Sequence, residues 1–140
     1  MDAAKLAAFM CGDTKQRLDE VYGVGLTQGR RLPLIQVPTT SGTGSEVTNV
    51  SVITTGAAQK KGVVGAQLYA DYAVLDGDLT LSLPPAITAA TGIDAMVHAI
   101  EAYTSKHLKN VLSDILALEA LKLLSSNIRY SSCVSPLSPV

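Results

Sequence analysis

The sequence predicts an α/β fold up to about Leu83, followed by an all-α part. Three observations lead there. Short β-branched or apolar runs (PLIQVP, NVSVITT, DYAVL) alternate with glycine-rich breaks through the first part. Pro84 and Pro85 then mark a boundary past which strand patterning stops. Two runs of helical periodicity, from Pro85 to about Tyr103 and from Val111 to Tyr130, fill most of the remainder. The expected organisation is an α/β domain over 1–83, the start of a helical domain over 84–130, and a disordered tail over 131–140, where SSCVSPLSPV loses all periodicity.

Bulk properties narrow the function classes. With 140 residues and 47% hydrophobic content, the chain has material for a real core. A net charge of −1 without a basic block argues against a nucleic-acid partner. No apolar run is long enough to span a bilayer, and the start lacks a signal-peptide pattern, so a cytoplasmic protein without a membrane partner is expected. Cys11 and Cys133 are isolated, which argues against a disulfide framework or a zinc cluster.

Taken in order, Ala3 to Phe9 reads as a helix stopped near Gly12, and Asp13 to Tyr22 as a short surface helix. VGLTQGRRL is a loop, and Leu34 to Val37 a strand expected to be buried on both faces. A strand near Val47 to Thr54 turns at Gly56 to Lys60 and returns through KKGVVGAQL as a hairpin. Lys60 and Lys61 read as turn-edge charges in water, and Ala73 to Leu75 as a further buried strand. Ser82 and the two prolines suit a helix start, and Gly92 is a weak point within that helix. The second long helix carries more apolar surface than one neighbour covers, which implies a bundle.

Two stretches carry chemistry. In TGIDAMVHAIEAY, Asp94 and His98 are four residues apart, so both leave one helical face. Set among apolar residues they need partners, and either a metal ion or an ordinary hydrogen-bonding neighbour would serve. The second stretch is TTSGTGSEVT, Thr39 to Thr48, directly after a strand. Its small residues let backbone amides approach an anion, and its hydroxyls can donate to phosphate oxygens, although a plain flexible turn has the same composition. It matches neither of the usual nucleotide fingerprints. Glu101 reads as a helix-surface carboxylate or a support to a ligand, His107 as exposed, and Glu46 as a brace for the loop.

PTTSGTGSEVT followed by LPPAITAATGIDAMVHAIEAY resembles the iron-containing (group III) alcohol dehydrogenases, and the opening DAAK is similar to the end of that family's GGGS-x-x-DAAK loop. The resemblance runs from Asp2 to about Tyr130. It implies a partial dinucleotide-binding domain of the dehydroquinate synthase-like kind, followed by a helical metal-binding domain. It implies that Asp94 and His98 are ligands of a divalent metal, Fe²⁺ or Zn²⁺, and that Thr39, Thr40, Thr48 and Lys61 contact NAD or NADP. No residue is assigned a catalytic role beyond these. The reaction implied is hydride exchange between a small alcohol and its carbonyl form, with the metal acting as a Lewis acid.

In that family a glycine-rich loop precedes DAAK and two further histidine ligands follow in later helices. Neither occurs in these 140 residues, so the polypeptide alone is expected to be inactive. Homo-oligomers, a zinc enzyme like glycerol dehydrogenase, a non-catalytic fragment that associates with full-length subunits, and a plain helical module are the accompanying alternatives.

Overall fold

The computed structural model describes residues 1–56 and 58–133. It divides into two compact units, Met1–Pro38 with Gly44–Leu75, and Thr39–Thr43 with Asp76–Val140.

The first unit is built on helix α1, Asp2–Met10, an alanine-rich segment of high intrinsic helicity. Leu6 and Phe9, three apart, bury one stripe of it. They pack with Val21, Val63 and Leu68, and Met10, Tyr22 and Ile53 close around that cluster. The expected hairpin is present. Strand β3, Val50–Thr55, pairs antiparallel with β4, Gln59–Val64, from Val50↔Val64 to Thr55↔Gln59. A short strand β1, Gly23–Val24, adds to β4 in parallel, within a segment that the composition reads as loop. Gly23, at its start, and Gly25, just past its end, take positive φ and let the chain turn sharply there.

Three sequence expectations fail here, each for a physical reason. Asp13 to Tyr22 holds only one 3₁₀ turn, Leu18–Glu20. The polar side chains bond to nearby backbone instead of leaving it to a helical ladder: Thr14 accepts from the Gln16 amide at 3.2 Å and Glu20 from the Arg17 amide at 2.7 Å. The strand expected at Leu34 to Val37 is only β2, Ile35–Gln36, and the one near Ala73 is β5, Tyr72–Ala73. These two pair in parallel, Ile35↔Tyr72 and Gln36↔Ala73. Neither is buried on both faces as expected: Ile35 is 61% and Tyr72 69% exposed, while Leu34 and Gln36, on the other face of β2, are buried. Gln36 is buried there, with its Oε1 lacking a hydrogen bond among the described residues.

An ion pair fixes that ribbon. Asp71 Oδ2 lies 2.6 Å from Arg31 Nη1 and also accepts from the Leu34 amide at 2.8 Å. Arg31 Nε donates to the Tyr69 carbonyl at 2.9 Å.

In the second unit, α2 spans Pro85–Thr104 and α3 spans Val111–Cys133. Pro85 occupies the first helical position, where its missing amide costs nothing. The cap comes from Pro84, without a side-chain hydrogen bond, so Ser82 does not cap this helix. Asn110 caps α3, accepting from the Ser113 amide at 2.9 Å. Gly92 is not a weak point but a seat: a Cβ there would lie 2.9 Å from Ile128 Cδ1 of α3. The helices therefore approach closely where the side chain is missing. As the sequence implies, α3 leaves apolar surface uncovered, including Leu112, Ile115, Leu116 and Leu118. The helix runs through Cys133, three residues into the expected tail, and residues 134–140 of that tail lie outside the described residues. No helix among the described residues is long and apolar enough to cross a membrane.

The Arg31 guanidinium, and then the Leu34 amide, hold the Asp71 carboxyl down from 3.8 to about 2. A carboxylate with a lowered folded pKa stabilises fully above its unfolded value, and that contribution fades as pH falls towards the folded one. The stability gap between wild type and Asp71→Asn is therefore expected to be constant from neutral pH down to about 4 and to close towards pH 2, read by thermal denaturation across pH. A gap that persists at pH 2 would mean that shape, not charge, holds the ribbon.

Candidate functional site

Helix α2 presents Asp94 and His98 one turn apart, with Oδ1 and Nε2 separated by 3.8 Å. Their side chains are 44% and 52% exposed, so neither is sealed by protein. A hard carboxylate oxygen and an imidazole nitrogen, converging from one accessible face, are ligand types that suit Fe²⁺ or Zn²⁺. They fit such an ion as two of its ligands. Among the described residues no group of three or more His, Cys, Asp or Glu side chains gathers around one point. Glu101 and His107 are both exposed, as the sequence implies.

The threonine-glycine loop is held in two ways. Residues Thr39–Thr43 pack in the same unit as α2. Gly42 makes that contact: a Cβ on it would lie 2.7 Å from the Thr91 carbonyl oxygen and 2.8 Å from Thr91 Cβ. The loop backbone thus rests on α2 one turn before Asp94. Thr40 is half-buried and Thr39 exposed.

Residues Ser45 to Thr48 belong to the first unit, where α1 holds them. The Lys5 side chain is fully buried, and its ammonium donates to Thr48 Oγ1 at 3.0 Å and to the Val50 carbonyl at 2.9 Å. Asp2 accepts from the Ser45 hydroxyl through Oδ1 and from the Val52 amide through Oδ2 at 2.8 Å. Its backbone carbonyl accepts from the buried Ser51 hydroxyl at 2.9 Å. Burial pushes the Lys5 pKa down, while Asp2 and Glu46 draw it back up.

Lys61 is not simply a solvated turn charge. Its ammonium sits 4.6 Å from the centroid of the Tyr22 ring, a cation–π contact on the exposed side of β4.

Asp94 and His98 therefore come together, Thr39 and Thr40 share their unit, and Thr48 and Lys61 lie in the other. Sequence reasoning missed the anchoring role of Asp2 and Lys5. The signal was there: Lys5 precedes Leu6 and sits one turn before Phe9, on the stripe that must be buried.

Comparison with known proteins adds an independent line. The model of the family "Iron-containing alcohol dehydrogenase" matches residues 1–77, and that of "Fe-containing alcohol dehydrogenase family, C-terminal" matches 88–133. Sulfoacetaldehyde reductase of Bilophila wadsworthia is 44% identical over 132 residues, covering 94% of this chain and 34% of its own length. Long-chain-alcohol dehydrogenase 1 of Geobacillus thermodenitrificans is 46% identical over 132 residues, covering 92% and 33%. A solved structure of sulfoacetaldehyde reductase from Bifidobacterium kashiwanohense in complex with NAD⁺ superposes with a TM-score of 0.84 at 38% identity, over 94% of this chain and 35% of that one. The chain spans about a third of the length of the curated relatives it matches.

The contact at Thr91 sets an expectation for the loop. Gly42→Ala forces a methyl group into backbone that has no room to yield, and is expected to cost about 1–3 kcal/mol. Urea denaturation of the variant checks this; an unchanged midpoint would show that the loop does not rest on α2.

Proposed function

The chain belongs to the iron-containing alcohol dehydrogenases, and from that premise we propose that it carries part of a metal-dependent, NAD(P)-linked alcohol dehydrogenase site. Asp94 and His98 are its metal ligands, for Fe²⁺ or Zn²⁺. Thr39, Thr40, Thr48 and Lys61 face NAD or NADP. The substrate is a small alcohol or the matching carbonyl compound. The observation that carries this reading is the 3.8 Å pairing of Asp94 Oδ1 and His98 Nε2 on an accessible face of α2, one turn past the seat of Gly42.

The roles follow from chemistry. Asp94 contributes negative charge and His98 a neutral nitrogen donor, which together favour a divalent cation over a monovalent one. The cation, when bound, supplies Lewis acidity to an alcohol or carbonyl oxygen. The Thr39 and Thr40 hydroxyls orient the cofactor, which itself carries the hydride. Lys61 offers a positive charge to an anionic ligand, at the cost of leaving Tyr22.

The chain on its own is inactive in this reading. Two ligands from one helical turn leave most of a metal's coordination sphere to water, and a loosely held ion is a poor catalyst. A second reading rests on the bare face of α3. Exposed Leu112, Ile115, Leu116 and Leu118 favour association, with a second copy or with a longer family member, over life as a monomer.

Titrating the purified 140-residue chain with Zn²⁺, and anaerobically with Fe²⁺, is expected to show saturable binding that His98→Ala weakens by about tenfold or more. Equal binding by the variant removes the metal assignment. NAD⁺-linked oxidation of short alcohols is expected to stay at the blank rate. Turnover that needs Fe²⁺ and disappears in His98→Ala contradicts the inactivity.

A further inference from the structure

A cavity of about 520 Å³ opens at the amino ends of β2 and β5, lined by Arg31, Pro33, Asp71 and Tyr72. All four belong to the first unit. The threonine-glycine loop leaves from the carboxyl end of β2, and the chemistry proposed above uses none of these residues. The volume falls in the range of small-molecule sites.

The bonding around the Arg31–Asp71 pair leaves specific groups unspent. A guanidinium carries five N–H donors. Arg31 spends three of them: Nε on the Tyr69 carbonyl at 2.9 Å, and Nη1 on the Leu32 carbonyl at 2.7 Å and on Asp71 Oδ2 at 2.6 Å. The N–H groups of Nη2 remain. Nη2 is open to solvent, since Gln36 Oε1 is the one buried side-chain polar atom without a partner among the described residues. Asp71 Oδ2 is taken twice, by Arg31 and by the Leu34 amide, whereas Oδ1 receives no bond from another described residue. Covalent geometry keeps Nη2 and Oδ1 beside the Nη1–Oδ2 contact. Tyr72, largely exposed, adds an aromatic surface.

We propose that this cavity binds an uncharged aromatic carboxamide, whose carbonyl oxygen accepts from Arg31 Nη2, whose N–H donates to Asp71 Oδ1 and whose ring lies against Tyr72. A carboxamide carries an acceptor and a donor on one carbon, so a single planar group serves both unspent atoms. A carboxylate of the same shape serves Nη2 but sets its second oxygen against Oδ1. An amidinium serves Oδ1 but sets an N–H against Nη2. Each mismatch leaves a polar group desolvated and unpaired. Arg31 holds the Asp71 carboxyl down to about 2, so Oδ1 stays an acceptor through the neutral range. Aromatic rings pack on tyrosine in offset or edge-on contact.

The test uses three probes of one shape: benzamide, benzoate and benzamidine. Each is titrated into the 140-residue chain while backbone amide shifts are followed by NMR. Benzamide is expected to saturate with a Kd on the order of 1 mM and to move the Leu34 and Tyr72 amides. Benzoate and benzamidine are expected to bind about tenfold more weakly. Tyr72→Ala, which leaves the ion pair in place, is expected to weaken benzamide by about threefold or more. Asp71→Asn replaces an acceptor by a group that can also donate, and the preference for benzamide over benzoate is expected to shrink to about twofold or less. If Asp71→Asn does not fold, Tyr72→Ala decides the matter. Equal binding of the three probes, benzamide shifts that map away from the cavity, benzamide binding indifferent to Tyr72→Ala, or no saturation by benzamide overturns the inference.

Discussion

A buried ammonium group governs the first unit. Sealing a charge from water is costly unless it is paired and hydrogen-bonded. Lys5 meets that requirement only because the Thr48 hydroxyl, the Val50 carbonyl and the Asp2 carboxylate converge on it. The burial itself comes from the hydrophobic stripe of α1: once Leu6 and Phe9 enter the core, the adjacent lysine goes in with them. Helix packing and loop shape are thus one event. The glycine-rich stretch has few apolar contacts of its own, and α1 gives it a shape that its composition cannot.

The same stretch is anchored in both compact units, by different means. In the first, polar bonds to Asp2 and Lys5 hold Ser45 to Val52. In the second, steric contact holds Gly42 against Thr91, where the absence of a side chain is the requirement. Gly44, at φ +61°, stands at the change from one to the other. A left-handed residue there costs little for glycine and about 1 kcal/mol or more for most others. The threonine loop is therefore not the flexible turn that its composition allows.

Much of this was legible in the residues. The α/β-then-helical order, the hairpin, both long helices and the Asp94–His98 face follow from periodicity, prolines and spacing. Other features were hidden because they depend on partners far along the chain. The β2–β5 ribbon reads as a buried core strand pair by composition, yet Ile35 and Tyr72 stay exposed, and only the face of β2 that carries Leu34 and Gln36 is covered. Gly92 reads as a helix defect until Ile128 is known to fill its place. The place of Lys5 on the buried stripe of α1 is visible in the sequence, but its partner is not, because Thr48 lies 43 positions later. Local propensity sees none of these, since each is a property of a pair.

The claim most exposed to refutation is that α1 shapes the loop through Asp2 and Lys5. The Val52 amide reports on it directly, because it donates to Asp2 Oδ2 at 2.8 Å. Native-state hydrogen exchange, followed residue by residue, should find Val52 as slow as the amides of the β3–β4 ladder. In Asp2→Ala it should exchange about tenfold faster or more while the ladder amides change less. A Val52 amide that exchanges freely in the wild-type chain, or one indifferent to the loss of Asp2, would contradict the account.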